Sequence, residues 1–336
     1  MQVYEGGILG HAAIIAGASN APPDKKSFPH YGYAAATEYI YQPMLYTVAA
    51  YLMWGFFPAF FPLLLPASPL EILAHRIVWT AVLVTAYLGA SGTWRELVGI
   101  DKRTWGWLAA AGVFITVNWG TYVVAVNTGH VADAALGYFI NPLVSVALGV
   151  FFLKEQLRRW QGIAVLIAVV AVLYLTFFTG QAPYISLLLA LSFGIYGLTK
   201  KQVKVSSTVS VAAETLVMLP VALAYLGYLG ATGQGTFTTE GPAHIGLLIA
   251  SGLVTALPLL CFAQGAKALP LSTIGMLQYM TPCMQMLYAV FVNNEHFSVH
   301  RWIGFAIIGV SAFIYFGDLI RLGAENRKLR RRRDAL

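Results

Sequence analysis

Long apolar runs, each closed by Pro, Gly or a short polar patch, recur about ten times between Leu45 and Ile320. A helix needs roughly 20 apolar residues to cross a bilayer. A lipid-facing barrel would instead show shorter segments of alternating character. The pattern predicts helices over 45–65, 70–90, 104–126, 131–152, 160–178, 182–200, 208–229, 242–263, 270–292 and 299–320. Pro58, Pro142, Pro258 and Pro282 fall inside them. Bends are expected there, because membrane helices accept proline where neighbours satisfy the freed carbonyl. Residues 1–43 break the pattern, being rich in Pro, Gly, Tyr and Ala without a sustained helical period. The weakly apolar run from Gly6 to Ala18 follows Glu5 and has no basic head, so it does not read as a signal peptide. The arm reads as poorly ordered or as an over-extended gene start, with Met44 as an alternative first residue.

The second half of the chain repeats the first at an offset of 140 positions. Residues 104–155 align without gaps on 244–295: Gly112 with Gly252, Phe139 with Tyr279, Pro142 with Pro282, Glu155 with Glu295. Five helices is an odd number, so the second copy must enter the membrane from the opposite face. The expected fold is therefore an all-α membrane protein of ten transmembrane helices, built as two inverted five-helix repeats. That architecture belongs to carriers that open to either side in turn.

Composition agrees with lipid as the solvent. Of 336 residues 58% are hydrophobic and 10% charged, against roughly a quarter charged in soluble domains. The net charge of +7 would suggest nucleic acid on a soluble chain. Here the cations sit in alternate loops and the tail: Arg95, Lys102 and Arg103; Lys154, Arg158 and Arg159; Lys200, Lys201 and Lys204; Lys267; then Arg321 through Arg333. Arg301 is the exception. Basic loops stay cytoplasmic, so both termini are expected inside, no nucleic-acid partner is expected, and the Arg-rich tail is expected to rest on anionic lipid. Cys261 and Cys283 fall within helices and read as packing residues rather than a bridge or metal pair.

Several strings are more specific than periodicity. They are AYLMWGFFPAFF at 50–61, EILAHRIVW at 71–79, NWGTYVVAVN at 118–127, ALGYFINPLVSVALG at 135–149, ETLVMLP at 214–220, ALPLLCFAQGA at 256–266 and LQYMTP at 277–282. Together they resemble the RarD group of EamA-type permeases in the drug/metabolite transporter superfamily, over about 45–320. The resemblance implies a bacterial inner-membrane protein with one EamA repeat over 44–179 and a second over 180–320, followed by a basic tail over 321–336. It also implies export or permeation of small molecules, with chloramphenicol sensitivity in the group's traditional name. The arm departs from the pattern, which begins close to the first helix.

Ionisable residues within spanning helices are costly and face a cavity or a partner. His75 and Arg76 lie about five residues into the second helix, roughly 7–9 Å along it. One reading has Arg76 receiving an anionic group and His75 titrating. The other has Arg76 reaching outward to pair with Glu71, with His75 a hydrogen-bonded core residue. Glu214, near the repeat-related position of His75, reads as a lone carboxylate suited to proton coupling, or else as half of a pair across the bundle. Trp54, Asn118, Trp119, Tyr138, Asn141, Gln278, Tyr279 and Thr281 would line a midplane path for a small amphipathic solute, or tie helices together. Pro142 and Pro282 would bend the same helix in each half. Glu155 and Glu295, at loop edges, read as helix caps or short ion pairs.

No Walker loop, HExxH, GxSxG or metal-spaced His/Cys/Asp cluster is present in the sequence. No cofactor is expected. A gradient-driven secondary transporter is the leading reading, a passive facilitator or channel the alternative, and a membrane-embedded enzyme a distant third.

Overall fold

Local signals set most helix ends. In the computed structural model, which describes residues 34–127, 131–179, 184–292 and 298–334, the Ser68 hydroxyl accepts the Glu71 N–H at 3.3 Å and starts α3 (Pro69–Ala90) with proline in its first turn. Ser206 does the same for α9 (Ser207–Thr232), accepting from Val209 at 3.3 Å. That helix stops at Gly233, whose φ of +68° is the left-handed end that favours glycine. Asp101 starts α5 (Lys102–Asn127): its carboxylate takes the Thr104 hydroxyl at 2.7 Å and the backbone N–H groups of Thr104 and Arg103 at 3.0 and 2.9 Å. Those bonds, the Thr104 hydroxyl first, hold the exposed carboxyl below its ordinary pKa.

The remaining elements are α1 (Ala34–Gly55), α2 (Phe57–Phe60) leading into a 3-10 turn at Phe61–Leu64, α4 (Trp94–Val98), α6 (Val131–Phe152), α7 (Arg159–Thr179), α8 (Tyr184–Gln202), α10 (Pro242–Ala268), α11 (Leu271–Gln278), α12 (Met280–Phe291) and α13 (Val299–Asp334). No strand occurs among the described residues. Among the described residues, six stretches are long and apolar enough to cross a membrane: 42–64, α3, 159–178, α9, α10 and 299–321. A shorter apolar stretch runs over Leu136–Phe152. Of the other predicted spans, α8 ends in Lys200 and Lys201, and the ninth is divided into helices of 8 and 12 residues.

Four expectations need correction. The first helix begins at Ala34, inside the arm read as disordered, where three alanines favour helix; residues 1–33 lie outside the described residues. That helix then breaks after Gly55 ahead of Pro58 and Pro62. The last helix runs through the basic tail to Asp334. The bends expected at Pro142 and Pro282 are unequal. Pro282 lacks an N–H and crowds the Gln278 carbonyl one turn back, and the helix is interrupted at Tyr279. Pro142 sits inside an uninterrupted α6, whose remaining ladder absorbs the single lost bond.

Residues 42–336 pack as one unit, and its contacts pair equivalent helices of the two halves. In α6 against α11, Phe139 meets Tyr279, Pro142 meets Gly275, and Glu155 meets Leu271 and Ser272. Sequence order therefore runs oppositely in the two helices. In α7 against α13, Ala164 meets Ser311 and Arg158 meets Asp318, while Tyr174 meets His300, again antiparallel. In α3 against α9, the start of α3 lies by the end of α9. The repeat-related glycines serve one purpose in each half. A Cβ on Gly112 would lie 2.8 Å from the Glu214 carbonyl oxygen of α9, and one on Gly252 would lie 2.4 Å from Trp79 Cβ of α3. The two largest of five apolar clusters among the described residues fill most of the interior. One joins Tyr51, Leu108, Phe193, Tyr196 and Phe262 across both halves; the other joins Phe139, Ala168, Ile308 and Tyr315.

Candidate functional site

Arg76 is turned inward, with 7% of its surface exposed. Its Nε donates to the Thr255 hydroxyl on α10 at 2.8 Å. The guanidinium carbon lies 4.4 Å from the Trp119 ring centre, 5.2 Å from Phe61 and 5.4 Å from Phe57. The positive group is thus held by aromatic faces, and Nη2 has no hydrogen-bond partner among the described residues. The outward pairing with Glu71 is not made. Glu71 faces the other way, and its Oε1 accepts the Thr236 N–H at 2.6 Å.

One position earlier, His75 stacks on Phe237, ring centres 4.7 Å apart. Phe237 belongs to the segment joining α9 to α10, a strap bounded by Gly233 and Gly241 at φ +68° and +86°. Such positions favour glycine. The Thr236 hydroxyl meets His244 Nε2 at 2.8 Å, fastening the strap to α10. Beneath it lies a pocket of about 360 Å³ lined by Glu71, His75, Trp79, Leu229, Phe237 and Thr239 among others. Of the path residues singled out in the sequence, His75 alone lines it.

The opposite end of α9 is tied rather than open. Glu214 is not lone: Lys200 Nζ of α8 donates to it, Ser210 Oγ donates to its Oε1 at 2.7 Å, and the Tyr196 hydroxyl reaches Oε2 at 3.4 Å. Lys200 is fully buried and also donates to Ser210 at 2.8 Å. Lys201 donates to the Leu269 carbonyl and Lys267 to the Val205 carbonyl, a reciprocal exchange between the α8–α9 and α10–α11 connections. Cations counted as free loop charges are thus spent on bonds, because a short connection brings the last turn of α8 beside the first turns of α9.

Most other path candidates tie helices together. Asn118 Nδ2 donates to the Leu189 carbonyl at 2.8 Å and to Ser192 Oγ at 3.1 Å. The Tyr279 hydroxyl donates to the Phe139 carbonyl at 3.2 Å, and Thr281 to that of Tyr51 at 2.9 Å. Trp54 packs among Tyr51, Phe193 and Phe262. Tyr138 packs on Tyr122 at 5.6 Å, while Asn141 and Gln278 are buried. Glu155 caps α11: Oε1 accepts the Leu271 N–H, and Oε2 accepts both the N–H and the hydroxyl of Ser272. Glu295 lies outside the described residues. Sequence reasoning missed Lys200, Thr255, Trp79, Phe237 and His244. A Lys at a helix end fourteen residues before a buried Glu was the signal available for the first; the strap has no periodicity to read.

Antiparallel pairing of equivalent apolar helices, with ionisable groups drawn inside, defines a multi-pass helical membrane protein made of two related halves. The chain belongs to the EamA-like transporter family, whose pattern matches residues 42–177 and again 182–317. It is 47% identical over 287 residues to Protein RarD of Streptomyces exfoliatus, covering 84% of this chain and 91% of that one. It is 42% identical to the uncharacterized transporter YojE of Bacillus subtilis, covering 81% and 92%, and 38% identical to Protein RarD of Escherichia coli, covering 83% and 95%. A solved structure superposes with a TM-score of 0.65 at 19% identity, covering 81% of this chain and 96% of that chain, and shares the fold.

Proposed function

We propose that the chain is a secondary permease of the bacterial cytoplasmic membrane, with ten spans, two inverted halves and both termini inside. It moves a small amphipathic molecule by alternating access. The observation that carries this reading is a pocket between the halves, lined by Glu71, His75 and Trp79 of the first and Leu229 and Phe237 of the second, beneath a glycine-bounded strap. At the other end of α9, Lys200, Lys201 and Lys267 tie connections of the second half to one another. A carrier open to one compartment needs such a pocket between its halves. The relatives named transporters, and one from Pseudomonas aeruginosa named "Chloramphenicol-sensitive protein RarD" at 30% identity, support a small-molecule cargo. The buried Arg76, with one nitrogen unpartnered, supports an acidic group on that cargo, and the Lys200–Glu214 pair is the proton-coupling candidate with His75.

Reconstituted protein should show saturable uptake that preloaded cargo accelerates. Uptake that neither saturates nor exchanges would identify a channel and overturn the proposal. Glu214→Gln should abolish coupling to a pH gradient while folded protein remains in the membrane; unchanged coupling removes Glu214 from that role. Arg76→Ala should impair anionic or zwitterionic cargo more than neutral cargo, and equal losses across a cargo panel would count against an acid-binding role.

A further inference from the structure

We infer that the pocket beneath the α9–α10 strap binds a protonated amine carried on a flat apolar body, with Glu71 Oε2 as its acceptor and Phe237 and Trp79 as its walls. Glu71 is 1% exposed. One of its oxygens is satisfied by the Thr236 N–H, whereas Oε2 has no partner among the described residues. A buried carboxylate oxygen left unbonded is costly, and no cation of this chain is paired with it among the described residues. Arg76, the nearest cation in sequence, is turned to Thr255 and Trp119. His75, the ionisable neighbour on the pocket wall, makes no hydrogen bond to Glu71, both its ring nitrogens being unpartnered among the described residues, so the donor to Oε2 is left for a ligand to supply.

The walls suit the rest of such a ligand. Phe237 and Trp79 lie 6.2 Å apart, tilted by 32°. Such faces attract both a cation and an aromatic body. Trp79 Nε1 and both ring nitrogens of His75 are also unpartnered, so the indole N–H can donate to an acceptor on the ligand and the imidazole can take its polar tip. The volume of about 360 Å³ lies at the small end of the usual range of ligand sites, about 300–1,000 Å³. Gly233 and Gly241 bound the segment that carries Phe237 and Thr236. Lifting that segment would remove one wall and one of Glu71's hydrogen bonds together.

As a statement about cargo this rests on the permease reading, but equilibrium binding tests the site by itself. The full chain in detergent is titrated calorimetrically with three probes of one shape: tyramine (cationic), 2-(4-hydroxyphenyl)ethanol (neutral) and 4-hydroxyphenylacetate (anionic). Tyramine should bind roughly tenfold or more tightly than the neutral analogue, and the acid most weakly, as a charge-assisted bond to a carboxylate requires. Equal affinities, or preference for the acid, overturn the assignment without any variant. Glu71→Gln keeps an acceptor for Thr236 and should reduce tyramine to the affinity of the alcohol. Phe237→Ala should weaken all three. A folded Glu71→Gln protein that retains the tyramine preference also overturns it. Tyramine binding without carrier flux would support the site and refute the permease reading; flux with no amine preference would do the reverse.

Discussion

The two ends of α9 are built from the same kinds of residue and treated oppositely. At its start a carboxylate, Glu214, is surrounded by Lys200, Ser210 and Tyr196. Beside its end a carboxylate, Glu71, receives one backbone N–H and keeps an oxygen without a partner. Both are almost fully buried. Full satisfaction makes the first end a fastening, and partial satisfaction leaves the second ready for something from outside. The difference teaches where to look for function in a helix bundle: the residue type is shared, and the count of unmet hydrogen bonds distinguishes the two sites.

Removing Lys200 should produce the largest effect. Lys200→Met leaves Glu214 buried without its counter-charge, and should destabilise the protein by about 3–5 kcal/mol in equilibrium unfolding in detergent. Adding Glu214→Leu should recover most of that loss, since an apolar pair of similar volume commonly replaces a buried ion pair at little cost. A double variant as unstable as the single would show that packing, not charge, is at stake. Next come the glycines that let helices approach near the two carboxylate-bearing ends. Gly252→Ala and Gly112→Ala should each cost about 1–3 kcal/mol by overpacking, with Gly252 the worse. Its added carbon meets Trp79 Cβ at 2.4 Å and backbone carbon at 2.6 Å, whereas Gly112 meets one carbonyl oxygen at 2.8 Å. The reverse order in melting temperature would contradict the packing described. The smallest effect belongs to Thr236→Ala, which removes the bond to His244 at a cost of about 0.5–1.5 kcal/mol. Amide hydrogen exchange should quicken in the strap, with little change in the α8–α9 connection.

Much of this was legible in the chain. Apolar runs located the helices because lipid demands length and continuity. The 140-residue repeat singled out Gly112 and Gly252, which both prove to be places of close backbone approach. The depth of Arg76 and Glu214 in apolar runs marked both as residues needing a cavity or a partner, but left open whether Arg76 turned inward or reached outward to Glu71. Their partners were not legible, because partnership depends on how helices rotate against one another. Lys200 looked like a loop charge, and Thr255 like any threonine in a span. Pro142 and Pro282 show the limit most clearly. One residue type at one repeat position leaves α6 whole and divides its counterpart into α11 and α12. Phe237 lies in a stretch whose composition says only "connection", yet it forms the wall against His75.

The cap that Glu155 places on α11 has a mechanical consequence. Three hydrogen bonds to one carboxylate join the connection after α6 to the first turn of α11. Bonds to a charged group are each worth about 1.5–3 kcal/mol, so pulling the two apart is the costly direction. A break in the backbone ladder lies eight residues on, at Tyr279. Under the rocking proposed above, α11 would stay harnessed to the opposite half while α12 travelled with its own, with the Tyr279 joint as a knee between the two bodies.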